Sequence, residues 1–107
     1  MNRTAVSPLP DWLERHTSTA PPVLRERVLR HVDGGSAGED PADRMARAGR
    51  HALASALRRE QPRREVALDL LAADALVTLA LLWRAEHNPE TVARFAGDIL
   101  STGIEPQ

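Results

Sequence analysis

Residues Val66 to Trp83 read VALDLLAADALVTLALLW, an apolar run interrupted only by Asp69, Asp74 and Thr78. A helix that is hydrophobic all round is either the buried centre of a domain or a membrane span. The run is close to the minimum length for a span. Against that reading, a charge near the middle of a span costs about 2.5–3.5 kcal/mol on insertion scales, and both Asp69 and Asp74 would incur it. The expectation is therefore a central helix over about residues 62–87 in a domain with no membrane partner.

Working outward from this helix, Pro62 gives it a start, since the residue before a proline is pushed out of the helical region. Asn88-Pro89 separates it from a last amphipathic helix, which extends to about Leu100. There Val92, Phe95, Ala96 and Ile99 share one face, opposite Glu90, Arg94 and Asp98. On the N-terminal side, Asp40-Pro41-Ala42-Asp43 combines a capping carboxylate with a proline at the first helical position. The helix that follows is expected to reach about Glu60. Its inward positions Met45, Gly49, Ala52 and Ala56 are mostly small, which lets two helix backbones approach closely.

A further helix is expected over about Pro22–Val32, with Leu24, Val28 and Val32 inward and Arg27 and Arg30 outward. Thr17-Ser18-Thr19 offers capping hydroxyls before it. A short helical turn over Asp11–His16 carries Trp12. Gly34-Gly35 ends the Pro22 helix and opens a glycine-rich connection, Asp33–Glu39. That connection has neither the Lys and Ser or Thr of a Walker loop nor the preceding strand of a dinucleotide loop.

The resulting fold class is all-α: a small bundle of about four helices plus a short N-terminal helical turn. In domain terms, residues 1–10 read as a flexible leader, 11–101 as a single helical-bundle domain and 102–107 as a C-terminal tail. A chain of 107 residues is long enough for one core. It contains no cysteine, which excludes disulfides, thiolate metal sites and cysteine nucleophiles. Aromatic residues are confined to Trp12, Trp83 and Phe95, and the core is therefore aliphatic and alanine-rich. All basic side chains are Arg, which composition bias from a GC-rich genome explains without a selected role. MNRTAVSPLP has no apolar segment of a secretory signal, and the expected location is cytoplasmic.

Three groups of residues are candidates for function. The apolar central helix has more faces than three short helices and a Trp12 turn would cover, so Trp12, Leu79, Leu82, Trp83 and Phe95 are candidate interface residues. This gives the leading expectation: a non-enzymatic bundle acting through protein contacts, as a homo-oligomer or as a subunit of a larger assembly. Seven Arg residues lie between Arg44 and Arg64 against one acid, Glu60. Among them Arg44, Arg47, Arg58, Arg59, Arg63 and Arg64 form a candidate anion-binding face, and nucleic acid is the alternative partner. That face lacks interleaved aromatics and any helix-turn-helix signature. Last, Asp74 and Thr78, four residues apart, are expected to form a buried polar notch. There Asp74 either meets an Arg and fixes register or lines a ligand or enzyme pocket. Asp69 and Asp74 lie roughly 140° apart around the helix and cannot act as a catalytic pair.

No metal or other cofactor is expected. No two histidines have the i, i+3 or i+4 spacing of a helical metal site. His16, His31 and His87 each fall in the last turn of an expected helix, where the free carbonyls favour them. His51 is expected to be solvated.

Overall fold

The computed structural model describes residues 9–33, 38–58 and 60–103, and among them the chain is all-helical. The elements are α1 (Leu9–His16), α2 (Pro22–Val32), α3 (Pro41–Ala56), α4 (Arg63–His87), a 3₁₀ turn at Pro89–Thr91 and α5 (Val92–Gly103). The expected bundle is thus present, with several boundaries moved. Leu9 and Pro10, assigned above to the leader, belong to α1, and α5 continues beyond Leu100. The remaining leader, residues 34–37 of the connection, Arg59 and the end of the tail lie outside the described residues.

Local chemistry accounts for the helix ends. The Asp40 side chain accepts from the backbone N–H groups of Ala42 and Asp43, as the cap-plus-proline reading required. α3 stops at Ala56 rather than near Glu60, and Glu60 itself takes a left-handed conformation with φ 61°. Such a residue cannot continue a right-handed helix. Pro62 caps α4 without a side-chain bond. The hydroxyls of Thr17 and Ser18 turn back to the carbonyls of Leu13 and Arg15 at the end of α1. They satisfy orphan acceptors there, and the expected cap on α2 is absent.

α3 and α4 form the spine of the bundle. Buried Ala42, Met45, Ala46, Ala48, Gly49, Ala52 and Ala56 of α3 meet Ala72, Ala73, Leu76 and Ala80 of α4. At Gly49 the backbones come so close that an added Cβ would lie 3.3 Å from Val77 Cγ2 and 3.5 Å from the Ala73 carbonyl. The small-residue stripe read in the sequence is what permits this approach. At the other end of the pair, Arg84 reaches Asp40 and Asp43 at 3.1 and 3.3 Å and lies 4.3 Å above the Phe95 ring, tying α3, α4 and α5 together.

α1 is fastened by Trp12. Its indole N–H donates to Glu86 at 2.8 Å, and its ring meets Trp83 edge-on at 5.2 Å. Each tryptophan is stacked by the histidine one turn later, His16 on Trp12 and His87 on Trp83, and each histidine Nδ1 binds that tryptophan's carbonyl. The helix-end role expected for these two histidines is realised.

Gly49→Val forces a branched side chain into the α3–α4 contact. It is expected to lower stability by about 1–3 kcal/mol, the usual cost of overpacking, measured by urea unfolding. An unchanged midpoint would mean the two helices are not in close contact.

Candidate functional site

α4 presents two different polar features on opposite sides, and they divide the sequence candidates. On the inner side Asp69 is 2 % exposed. Its Oδ1 accepts from Arg27 Nη1 at 2.8 Å and from His31 Nε2 at 3.1 Å, and Arg27 Nη2 donates to Glu65. Because the carboxylate only accepts, His31 carries its proton on Nε2. In the neutral ring its Nδ1 then accepts from His51 Nδ1, 3.2 Å away.

This corrects three expectations. The buried carboxylate is Asp69 and not Asp74. Arg27, expected to point outward, is buried. His31 binds Asp69 instead of capping its own helix. The helical pattern of α2 places Arg27 beside Val28, and the partner that draws it inward is forty-two residues away in sequence. The spacing of Glu65 and Asp69, one turn apart on one side of α4, was the available signal for a bidentate partner.

Burial alone would raise the Asp69 carboxyl, but hydrogen bonds from Arg27, His31 and Ser55 outweigh it and hold it below the usual carboxylate range. The Asp69 and Glu65 carboxylates raise Arg27 in turn. A shallow hollow of about 230 Å³ opens beside this cluster, walled by Arg27, Arg30, His31, Ser55, Arg58, Gln61, Glu65 and Asp69. Its inner charges already satisfy one another. No group of three metal-ligating side chains occurs among the described residues.

The outer side of α4 carries Ala67, Leu70, Leu71, Asp74, Thr78, Leu82 and Ala85, all exposed, flanked by half-buried Val77 and Leu81. Asp74 and Thr78 share this side, as their spacing implied, but are solvent-exposed rather than a buried notch. Among the described residues neither side chain is bonded to another group. The face itself is apolar: Leu70 is 45 % exposed, Leu71 53 % and Leu82 37 %. Beside it, Asp74 and Thr78 also border an open hollow of about 260 Å³ that Leu24, Arg25, Val28 and the Thr17–Ala20 turn complete.

Of the expected interface residues, only Leu82 lies on this open surface. Trp12, Leu79, Trp83 and Phe95 are buried within the chain, at 4, 8, 5 and 7 % exposure. Trp12 and Trp83 cover each other, and Phe95 lies under Arg84. The residues that sequence reasoning passed over include Leu70 and Leu71, together with Leu53 of α3 and Leu57 just after it, which are also exposed.

The basic face is partly consumed by its own chain. Arg44 Nε donates to the Val32 carbonyl, and Arg47 forms a two-pronged pair with Glu39. Arg58, Arg63 and Arg64 remain exposed, and Arg59 lies outside the described residues. No family model, curated protein or solved structure matches this chain.

Asp69→Asn is expected to lower stability by about 3 kcal/mol, because it removes the fully buried one of the two carboxylates that pair with the Arg27 guanidinium. Arg27→Met combined with Asp69→Leu is expected to recover most of that loss. The Asp69 stabilisation is present above the unfolded-state carboxylate pKa of about 3.9 and disappears as pH falls through the lower folded value. Thermal unfolding between pH 2 and 6 reads this directly; a wild-type and an Asp69→Asn curve that stay parallel down to pH 2 would contradict it.

Proposed function

We propose that this chain is a non-enzymatic helical module that works through protein contacts made by the outer face of α4, as a homo-oligomer or as a subunit of a larger assembly. One observation carries the reading. The longest of the described helices carries a long apolar stretch, and only 39 % of that stretch is buried in its own fold. A helix that serves only as a core is covered on most sides, and a contiguous exposed apolar face marks a contact site.

By length and composition α4 would also be able to cross a membrane. The Arg27–Asp69–Glu65 cluster on its inner side, held by α2, favours a protein-covered helix, since charges in a bilayer are costly. Binding of nucleic acid by the basic face has less support, because Arg44 and Arg47 are already engaged within the chain. A ligand pocket around Asp74 has less support too: the hollow there is open, and no nucleophile or base adjoins the carboxylate.

A photo-crosslinking side chain at position 71 is expected to give a discrete protein adduct in the cells that produce the chain, whereas one at Glu26 on α2 gives none. Leu70→Gln with Leu82→Gln is expected to abolish the adduct. Crosslinking to lipid alone, or no adduct at either position, would overturn the reading.

A further inference from the structure

The leucines and alanines of the outer face of α4 are arranged symmetrically about the level of Leu76. Counted from Leu76 in both directions, Asp74 and Thr78 stand two residues away, Leu71 and Leu81 five, Leu70 and Leu82 six, and Ala67 and Ala85 nine. Leu76 itself is fully buried on the opposite side of the helix. A line through α4 at the level of residue 76 therefore leaves the outer face midway between Asp74 and Thr78, and a two-fold axis just outside that point, perpendicular to both the line and the helix, generates an antiparallel second helix. Two-fold interfaces are isologous: if residue i of one copy meets residue j of the other, j also meets i. A face whose leucines and alanines are placed in this way meets this condition when two helices run antiparallel.

We propose, building on the contact reading above, that the occupant of this face is a second copy of the same chain, docked with its α4 antiparallel about that axis. Leucine then falls level with leucine, 70 with 82 and 71 with 81, and the small Ala67 and Ala85 fall level with each other where the helices need room. In the middle, each Asp74 comes level with the partner copy's Thr78. The hydroxyl donates to the carboxylate, and the symmetry repeats the bond. Both of these side chains are otherwise unbonded among the described residues.

Charge supports the same direction. Exposed Arg63 and Arg64 stand at the start of α4, and Glu86 and Glu90 stand at its end. Antiparallel docking brings each Arg pair level with Asn88 and Pro89, between the two glutamates. A parallel pair would set Arg against Arg and Asp74 against Asp74, and like charges brought together suppress a pairing mode. The arrangement thus selects direction as well as partner.

Because the chain has no cysteine, single cysteines can be placed without background. Purified chain at micromolar concentration is expected to sediment as a dimer. Ala67→Cys mixed with Ala85→Cys is expected to crosslink across copies with a short bis-maleimide, while either variant alone gives little product. Leu71→Asp lies at an exposed position, so it should retain the helical circular dichroism and melting temperature of the monomer while weakening association by about a hundredfold or more. Thr78→Val is expected to weaken it by about a hundredfold or more, the loss of two hydrogen bonds to a charged acceptor. A purified chain that stays monomeric, or a dimer in which Ala67→Cys crosslinks with itself and not with Ala85→Cys, would overturn the proposal. A protein adduct at position 71 belonging to a different chain would leave the contact reading standing while removing self-pairing.

Discussion

The ion pair between Arg27 and Asp69 decides how the whole molecule is arranged. α4 has almost no preferred side in its composition, so apolar burial alone does not fix its rotation. One carboxylate changes this. With Asp69 held inward by Arg27 and His31, the same side must also carry Ala72, Ala73, Leu76, Ala80 and Trp83, and these are the buried residues of the helix. The opposite side is then obliged to carry Leu70, Leu71, Asp74, Thr78 and Leu82. A buried pair of this kind adds little net stability, since desolvation offsets most of the attraction. Its contribution is to orientation.

That division separates the two aspartates of α4 into distinct roles. Asp69 is satisfied three times over within the chain, by Arg27, His31 and Ser55. Asp74, about 140° around the helix, stands in an apolar strip beside Thr78 with no bonded neighbour among the described residues. A charged residue in such a strip weakens indiscriminate sticking but suits a partner that brings a donor to the same level. The tryptophan pair closes the far end of the inner side. Glu86 holds Trp12, Trp12 abuts Trp83, and these side chains carry α1 against α4.

Much of the fold was legible in the sequence because its determinants are local. Proline at the starts of α2 and α3, the Asp40 cap and the small residues around Gly49 act within a few positions of where they stand. The site was less legible for a corresponding reason. Which aspartate is buried depends on Arg27, forty-two residues away, and the cover over Trp12 depends on Glu86, seventy-four residues away. An all-round apolar helix also gives no periodic signal of its inner face. Trp12, Trp83 and Phe95, expected at an interface because the central helix has more apolar faces than its neighbours would cover, are instead buried within the chain: large aromatics are as valuable to a sparse aromatic core as to an interface. The exposed leucines 70 and 71 could be identified only after the inner side was known.

In the proposed arrangement α4 is a core helix on one side and a self-complementary contact on the other. Isotope-filtered methyl spectra of a dimer mixed from labelled and unlabelled chains test it most directly. Intermolecular contacts are expected between the methyl groups of Leu70 and Leu81 and between those of Leu71 and Leu82, which share an edge of the face, with none to the buried Leu76. Intermolecular contacts that arise only from other helices, or none at all at concentrations where the spectra are well resolved, would contradict it.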